Sequence, residues 1–342
     1  MRGNTKKIML LHFIVYFVFR SFLLAIYLLP FRFVASFGTF LGKVYYHFDR
    51  SRHRCVNANI SVVYGRNLDN KKRELLGRES CEQLAMYIFD LLKLHKIITP
   101  ENYHNYIEIT GSSHLMTSIN KGKGTIAVIG HFGNFYLFRY LSYLSIPPMT
   151  AVIRELDNPY LERFLNSMFA KCDVIVERPD GAIHTMHQLL VKNAIAVTLA
   201  DQKAGGNPRV GRHGIVVDFF GIPSQTHITA PLLARRTGAS IVPLFVIRKG
   251  PGRYRIEINE PLKLVHTSNE ASDLAKNTRK INQIFEDYIT KYPDHWFWLH
   301  RRWKDISGLE DLYESSNPLQ LVENFRRDQA RNEIQGEGYS WI

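Results

Sequence analysis

From Tyr106 onward the chain alternates short apolar runs with segments of helical period, and nothing else in it constrains the fold as strongly. YIEIT is followed by SSHLMTSIN, TIAVIG by NFYLFRYLSYLS, MTAVIREL by PYLERFLNSMFAKC, and VIVERP by AIHTMHQLLVKN; AIAVTLAD closes the series. The short runs are almost continuously apolar, as strands covered on both faces must be. Strand–helix alternation of this kind predicts an α/β layer with a mostly parallel sheet flanked by helices. After IVVDFFG and a helix through ITAPLLARRTG, the runs SIVPLFVIRK and YRIEINEPL are separated by Pro251-Gly252, which predicts an antiparallel hairpin. Upstream, Leu75, Leu76, Leu84, Ala85, Ile88, Phe89 and Leu92 recur at helical spacing and predict a helix from about Asp69 to Ile98. A last long helix, about Asp273 to Tyr292, leads into HWFWLHRRWK. Beyond Lys304 the chain is polar, with one weak amphipathic pattern near Leu319 to Phe325.

The N-terminus adds a different kind of segment. Arg2, Lys6 and Lys7 precede IMLLHFIVYFVF; Arg20 interrupts, and SFLLAIYLLP continues to Pro30. About 20 apolar residues suffice to cross a bilayer, and a charge near the middle of such a run is costly unless it snorkels. The run is long for a cleaved signal and no small-x-small site follows Pro30, so an uncleaved membrane anchor over residues 1–30 is expected. Arg32, Lys43, Arg50, Arg52 and Arg54 follow, against Asp49 alone among acids, and suit anionic headgroups. The net charge of +13 points to anionic partners, but no nucleic-acid-binding motif accompanies it, so nucleic acid is not expected. Cys55, Cys81 and Cys172 are widely spaced with no CxxC pair, which argues for a reducing compartment and against a disulfide framework or a zinc site.

Within GHFGNFYLF, Gly130 to Phe138, His131 falls at a strand's C-terminal end, where open α/β sheets bind ligands. A loop histidine satisfied by backbone is the ordinary alternative. Gly133-Asn134 suits a tight turn opening a helix. What raises the functional reading is the company of the motif: RELDNP (Arg154 to Pro159), ADQ (Ala200 to Gln202), DFFGIP (Asp218 to Pro223), LLARRTGASIVPLF and HWFWLHRRWK. With these blocks in this order and spacing, residues 8 to 305 resemble the late acyltransferases of lipid A biosynthesis, the lauroyl/myristoyl transferase family.

That resemblance implies a glycerolipid-acyltransferase-like α/β domain over residues 31–305 and an N-terminal membrane anchor helix, and the polar residues 306–342 beyond that domain are expected to form a tail. It implies transfer of a fatty acyl chain from acyl carrier protein to a hydroxyl of a glycolipid, at the bacterial inner membrane with the domain facing the cytoplasm, and with no cofactor or metal. By the same resemblance His131 is the base, Arg154 serves substrate phosphate or developing charge, and Asp201 and Gln202 match a DQ pair. Asp201 either orients His131, binds a sugar, or caps a helix. Asn134, Phe219, Phe220, Gly221 and Pro223 are expected around the substrate. Acyl transfer to an alcohol needs a base for the hydroxyl proton and donors for the oxyanion; the turn backbone around Gly133 or an arginine are both candidates for the latter.

One position departs from the pattern. The family has His, four residues, then Glu or Asp, whereas the fifth residue after His131 is Tyr136, and no acid occurs between His131 and Glu155. A phenol accepts a hydrogen bond but does not neutralise an imidazolium. Three outcomes stay open: Tyr136 as a weaker orienting group, a carboxylate from elsewhere with Asp201 the candidate, or a relative without catalysis. Arg209, Arg212, Arg235, Arg236, Arg301, Arg302 and Lys304 are candidates for contact with the acidic carrier and lipid phosphates. Trp296 and Trp298 suit either a headgroup layer or the core. Another lipid alcohol as acceptor, a lysophospholipid or a glycosylated phosphatidylinositol, is the alternative substrate.

Overall fold

The apolar runs become strands in the computed structural model, which describes residues 2–177, 181–205 and 214–334. They are β1 (Ile107–Thr110), β2 (Thr125–Ile129), β3 (Met149–Val152), β4 (Val174–Glu177) and β5 (Ile195–Leu199), then β6 (Gly214–Phe219), β7 (Ile222–His227), β8 (Ser240–Gly250) and β9 (Arg253–Ile258). Seven of them form one sheet in the order β1-β9-β8-β2-β5-β3-β4. All neighbours are parallel except β8 and β9, which pair antiparallel across the Pro251-Gly252 turn. The mostly parallel α/β fold expected from the sequence is the one observed.

Continuous apolarity in β2 has a direct reading. Ile126 and Val128 enter the core on one face beside Ala196 and Ile241, while Ala127 and Ile129 enter the other beside Ile195, Val197 and Val242. Successive side chains point to opposite faces of a strand, so a strand covered on both sides is apolar at almost every position, with buried Thr125 at its start the one polar residue of β2.

Helices cover the sheet. Before it come α1 (Arg2–Leu28), α2 (Phe31–Phe48), α3 (Arg50–Tyr64) and α4 (Asn70–Ile97); the crossovers are α5 (Ser112–Ile119), α6 (Pro159–Ala170) and α7 (Ala182–Val191). α8 (Thr229–Thr237), α9 (Glu270–Lys291) and α10 (Pro318–Ile334) complete the chain. The helix α2 lies tightly on α4, because Gly42 lets the backbones touch: a Cβ there would stand 2.4 Å from Glu82 Cα. Within α1, Ile8–Leu28 is long and apolar enough to cross a membrane.

Three local features differ from the sequence expectation. The segment Phe135–Leu144 is a 3-10 helix rather than an α-helix. Buried Arg139 lies inside it, and its guanidinium donates to the Tyr136 carbonyl at 3.2 Å and to the Tyr140 hydroxyl at 2.9 Å, competing for a carbonyl that an α-helix would use. DFFGIP does not lead straight into a helix; β6 and β7 form a hairpin whose turn residues Phe220 and Gly221 both have positive φ, 56° and 74°, the conformation of a two-residue hairpin turn. Phe220 is held there by Glu286 Oε1, which accepts its N–H at 2.8 Å, and by Arg326 Nη2, which donates to its carbonyl at 2.9 Å. Finally, residues beyond 305 join the main core, with Leu309, Leu312, Tyr313 and Val322 buried.

Candidate active site

β2 and β5 are parallel neighbours with Ile129 opposite Leu199. Two residues past that register, the chain delivers His131 and Asp201 to the same point above the C-terminal edge of the sheet. Gly130 makes the approach possible, since a Cβ on it would meet Phe285 Cε1 at 2.4 Å and Asp201 Cγ at 3.1 Å. His131 Nδ1 lies 3.0 Å from Asp201 Oδ1, and Trp296 Nε1 donates to Asp201 Oδ2 at 2.9 Å. The carboxylate is 1 % exposed and the imidazole 26 %, so one partner is sealed in and the other reaches solvent. Burial pushes the Asp201 carboxyl up, but the His131 and Trp296 hydrogen bonds and the imidazole's charge outweigh it and hold the group below the usual aspartate value. A carboxylate only accepts, so it places the proton on Nδ1 and leaves the Nε2 lone pair for other work.

Two backbone hydrogen bonds fix the histidine from its other side. Phe297 N–H donates to the His131 carbonyl at 2.9 Å and Gly133 N–H to the His295 carbonyl at 2.8 Å. Gly133 has φ of +58°, and a Cβ on it would stand 1.7 Å from the Val246 carbonyl oxygen, so no other residue fits. Phe135 meets the imidazole edge-on at 5.1 Å, and Phe297 lies at 6.1 Å. Beside them opens a small cleft lined by Cys81, Leu84 and Tyr87 of α4 and by Phe135, Phe297 and Leu299. The arrangement supplies an oriented base at the mouth of an apolar cleft, which suits proton abstraction next to a hydrocarbon chain.

A sequence model of the bacterial lipid A biosynthesis acyltransferases matches residues 2–305. The chain belongs to that family. It is similar to the lipid A biosynthesis lauroyltransferase of Escherichia coli, 22 % identical over 279 residues covering 81 % of this chain and 87 % of the relative. The lipid A biosynthesis acyltransferase of Haemophilus influenzae is 20 % identical over 302 residues, 86 % of this chain and 88 % of the relative. A phosphatidylinositol mannoside acyltransferase of Mycobacterium tuberculosis is 24 % identical over 213 residues, 60 % of this chain and 61 % of the relative.

In this acyltransferase, Tyr136 is not part of the His131–Asp201 pair. Its ring stacks on Phe135 at 4.5 Å and lies 5.9 Å from Phe169, burial pushes its phenol up, and among the described residues no hydrogen bond joins it to His131. Asn134 points inward, 2 % exposed, and its amide donates to the Tyr87 carbonyl at 2.9 Å, tying the turn to α4. Gly133 N–H is committed to His295, so the oxyanion donors do not include it. Arg154 stands exposed just past β3, with no ion pair to a described residue. Gln202 is half-buried beside Asp201.

Phe219 is fully buried, stacked on Trp303 at 5.7 Å and edge-on to Trp296 at 5.9 Å, so the FFGIP block backs the tryptophan that holds Asp201. Phe220 is half-buried, Gly221 is exposed and Pro223 is buried on β7. Trp296 and Trp298 are core residues, 3 % and 1 % exposed, rather than headgroup anchors. Arg302 is a correction to the basic set: it is 1 % exposed and donates to the Gln225 carbonyl at 2.8 Å and Thr226 Oγ1 at 2.6 Å. Burial pulls it down to about 10 despite the nearby Asp201 charge. Arg235 pairs with Asp273 at 2.6 Å, Arg301 pairs with Glu314, Arg236 and Lys304 are exposed, and Arg209 and Arg212 lie outside the described residues.

Sequence reasoning does not find three participants. Trp296 reads there only as an aromatic anchor or core residue, although an indole N–H can donate. His300 accepts the Lys203 N–H at 3.2 Å and is held down to about 4 by burial, against the pull of Asp201 and with Arg302, His131 and Lys203 adding to it. The α4 wall of the cleft carries no local signal, because its residues reach the site only through packing. Among the described residues no group of His, Cys, Asp and Glu is arranged to hold a metal ion.

Proposed function

We propose that this chain is a membrane-associated O-acyltransferase that moves a fatty acyl chain from the thioester of acyl carrier protein to a hydroxyl of a lipid A precursor. His131 acts as base and Asp201 supplies the carboxylate that the local motif lacks at Tyr136. The observation that carries this reading is the 3.0 Å contact between His131 Nδ1 and buried Asp201. His131 Nε2 takes the acceptor hydroxyl proton as the oxygen attacks the thioester carbon. The tetrahedral oxyanion then collapses with loss of the thiolate, which takes the proton back from the imidazolium. Asp201 stabilises that imidazolium through both steps. Arg154, exposed at the same sheet edge, is assigned to a substrate phosphate, and the apolar cleft beside His131 to an acyl chain. The net charge of +13 and exposed Arg236 and Lys304 favour an acidic carrier protein as donor. The site of action is the cytoplasmic face of the bacterial inner membrane, where acyl carrier thioesters are available.

A second reading, transfer to a glycosylated phosphatidylinositol, is favoured by the similarity to phosphatidylinositol mannoside acyltransferases. Mass spectrometry of the membrane lipids with the gene deleted, restored, and restored as His131→Ala separates the readings. Loss and return of one acyl mass on lipid A, with no return for His131→Ala, supports the first. The same pattern on a phosphoinositide supports the second. An unchanged lipid A and phosphoinositide profile, or full restoration by His131→Ala, refutes the catalytic assignment.

A further inference from the structure

The apolar helix α1 does not project from the body; it is docked lengthwise on it. Tyr16 stacks on Tyr160 of α6 at 5.5 Å, Phe19 meets Phe164 edge-on at 5.2 Å, and Leu23 and Ile26 are 1 % and 4 % exposed. Steps of three and four residues place these on one stripe of the helix. The seam is pinned at both ends. Asn158 Nδ2 donates to the His12 carbonyl at 3.1 Å, while Lys93 Nζ donates to the carbonyls of Ile26, Tyr27 and Leu29 at 2.9, 3.1 and 2.6 Å. These carbonyls end a helix and have no partner within it, so Lys93 supplies the cap.

From His12 to Leu29 this seam occupies about 17 residues, or roughly 26 Å of helix, and the apolar stretch of α1 ahead of it is Ile8 to Leu11, because Lys6 and Lys7 interrupt the run. Those four residues, roughly 6 Å, fall well short of the ~30 Å needed to cross a hydrocarbon core free of the body. A perpendicular crossing by the docked helix would carry α6 and the end of α4 into the hydrocarbon, with Arg163 and Lys96 exposed on their surfaces, where charge is costly.

The outward face of α1 is apolar, with Leu10, Phe17, Val18, Leu24 and Leu28 exposed, and α2 continues it. Phe33, Phe37, Phe40 and Phe48 are 64, 44, 58 and 82 % exposed, while Gly38 and Gly42 on the far side of the same helix pack against α4. Phe22 of α1 lies 6.4 Å from Phe37, so the two helices share one surface. Exposed Arg32 and Lys43 lie on α2 itself, and exposed Arg50 and Arg54 follow at the start of α3. Aromatic side chains rimmed by basic ones match the hydrocarbon boundary and headgroups of an anionic bilayer.

We infer that α1 and α2 lie together in the plane of one leaflet, so that the chain is held monotopically and α1 does not span the bilayer. This rests on the membrane association proposed above. Full-length protein is bound to sealed vesicles of phosphatidylethanolamine and phosphatidylglycerol and floated on a density gradient. The native cysteines are buried and free, so Thr5→Cys and Ser51→Cys variants report the two ends of the region to a membrane-impermeant maleimide. A nitrobenzoxadiazole probe on Phe37→Cys or Phe40→Cys is tested for quenching by spin-labelled lipid, with melting temperature checked for each variant. The expected result is flotation, labelling of both ends from the same side, and quenching of the α2 probes. Labelling from opposite sides, or α2 probes that stay unquenched in a floating protein, overturns the in-plane arrangement alone. Failure to float overturns the membrane association as well.

Discussion

Replacing Asp201 by asparagine tests the active-site assignment at its narrowest point. The side chain keeps its shape, but its two terminal atoms are no longer equivalent. The new amide must present its oxygen to Trp296 Nε1, because an NH₂ facing that donor would leave two N–H groups opposed at 2.9 Å in a site 1 % exposed. The NH₂ then faces His131 Nδ1 at the former 3.0 Å contact and donates to it, so the imidazole proton moves to Nε2. The base is lost at the atom that must accept the hydroxyl proton, and the imidazolium loses its counter-charge. The analogous change in the serine proteases lowers kcat about 10⁴-fold, equivalent to about 5.4 kcal/mol. We expect a loss of about 10³–10⁴-fold in kcat here, a KM within about threefold of wild type, and a stability loss of only about 1–2 kcal/mol from the altered hydrogen bonds. Tyr136→Phe is expected to stay within about threefold in kcat, since its oxygen makes no bond to His131. The assay is acyl transfer from carrier thioester to a lipid A precursor in detergent, with melting temperature measured alongside. Retention of more than a tenth of wild-type activity by Asp201→Asn, with a severe loss in Tyr136→Phe, would refute the reasoning and return the orienting role to the phenol.

Trp296→Phe removes one donor from Asp201 and should lower kcat about 10–100-fold while moving the acid limb of the pH–rate profile upward, read from kcat between pH 4 and 8. Gly133→Ala places a Cβ 1.7 Å from the Val246 carbonyl oxygen at a φ of +58°, and should cost about 1–3 kcal/mol together with most of the activity, read from thermal unfolding and transfer rate. Burial holds His95 and His300 down to about 4, below the unfolded value of about 6.5. For such groups the unfolded chain binds more protons between the two values, so their contribution is whole above about pH 6.5 and is lost as pH falls toward 4. Each should account for about 1–3 kcal/mol over that range after allowing for residual solvent contact. His300→Gln should flatten the fall in melting temperature between pH 6.5 and 4.5, and an equally steep fall in that variant would count against the assignment.

The sheet was legible because its central strands β2, β3 and β5 are short and nearly all apolar, and TIAVI between Gly124 and Gly130 has no other use than a two-sided core. The β8–β9 hairpin was legible from Pro251-Gly252. The β6–β7 hairpin was not, since its turn is Phe220-Gly221, an aromatic in a left-handed conformation held by Glu286 and Arg326 from elsewhere in the chain. His131, assigned as base in the proposed function, could be nominated from its place after a strand. Its contact with Asp201, 70 residues later, depends on β5 lying beside β2, an adjacency that strand order decides and local spacing does not. Trp296 and the α4 wall are further still from any local signal. Arg302 shows the opposite error: a charge in a basic run looks exposed, yet three carbons and a planar cation on Phe219 make it a core residue.

The docking of α1 has a consequence in time. Asn158, which ties the start of the seam, is made 146 residues after His12. At ribosomal speeds of about 5–20 residues per second, roughly 7–30 s pass between the two. Throughout that interval the nascent chain carries an apolar helix whose final neighbours on α6 have not been translated. Whatever shelters it then, lipid or chaperone, is met before the fold exists, and the order of encounter is written into the order of the genetic message. A circular permutation that moved α1 to the end of the chain would keep every contact and reverse that order.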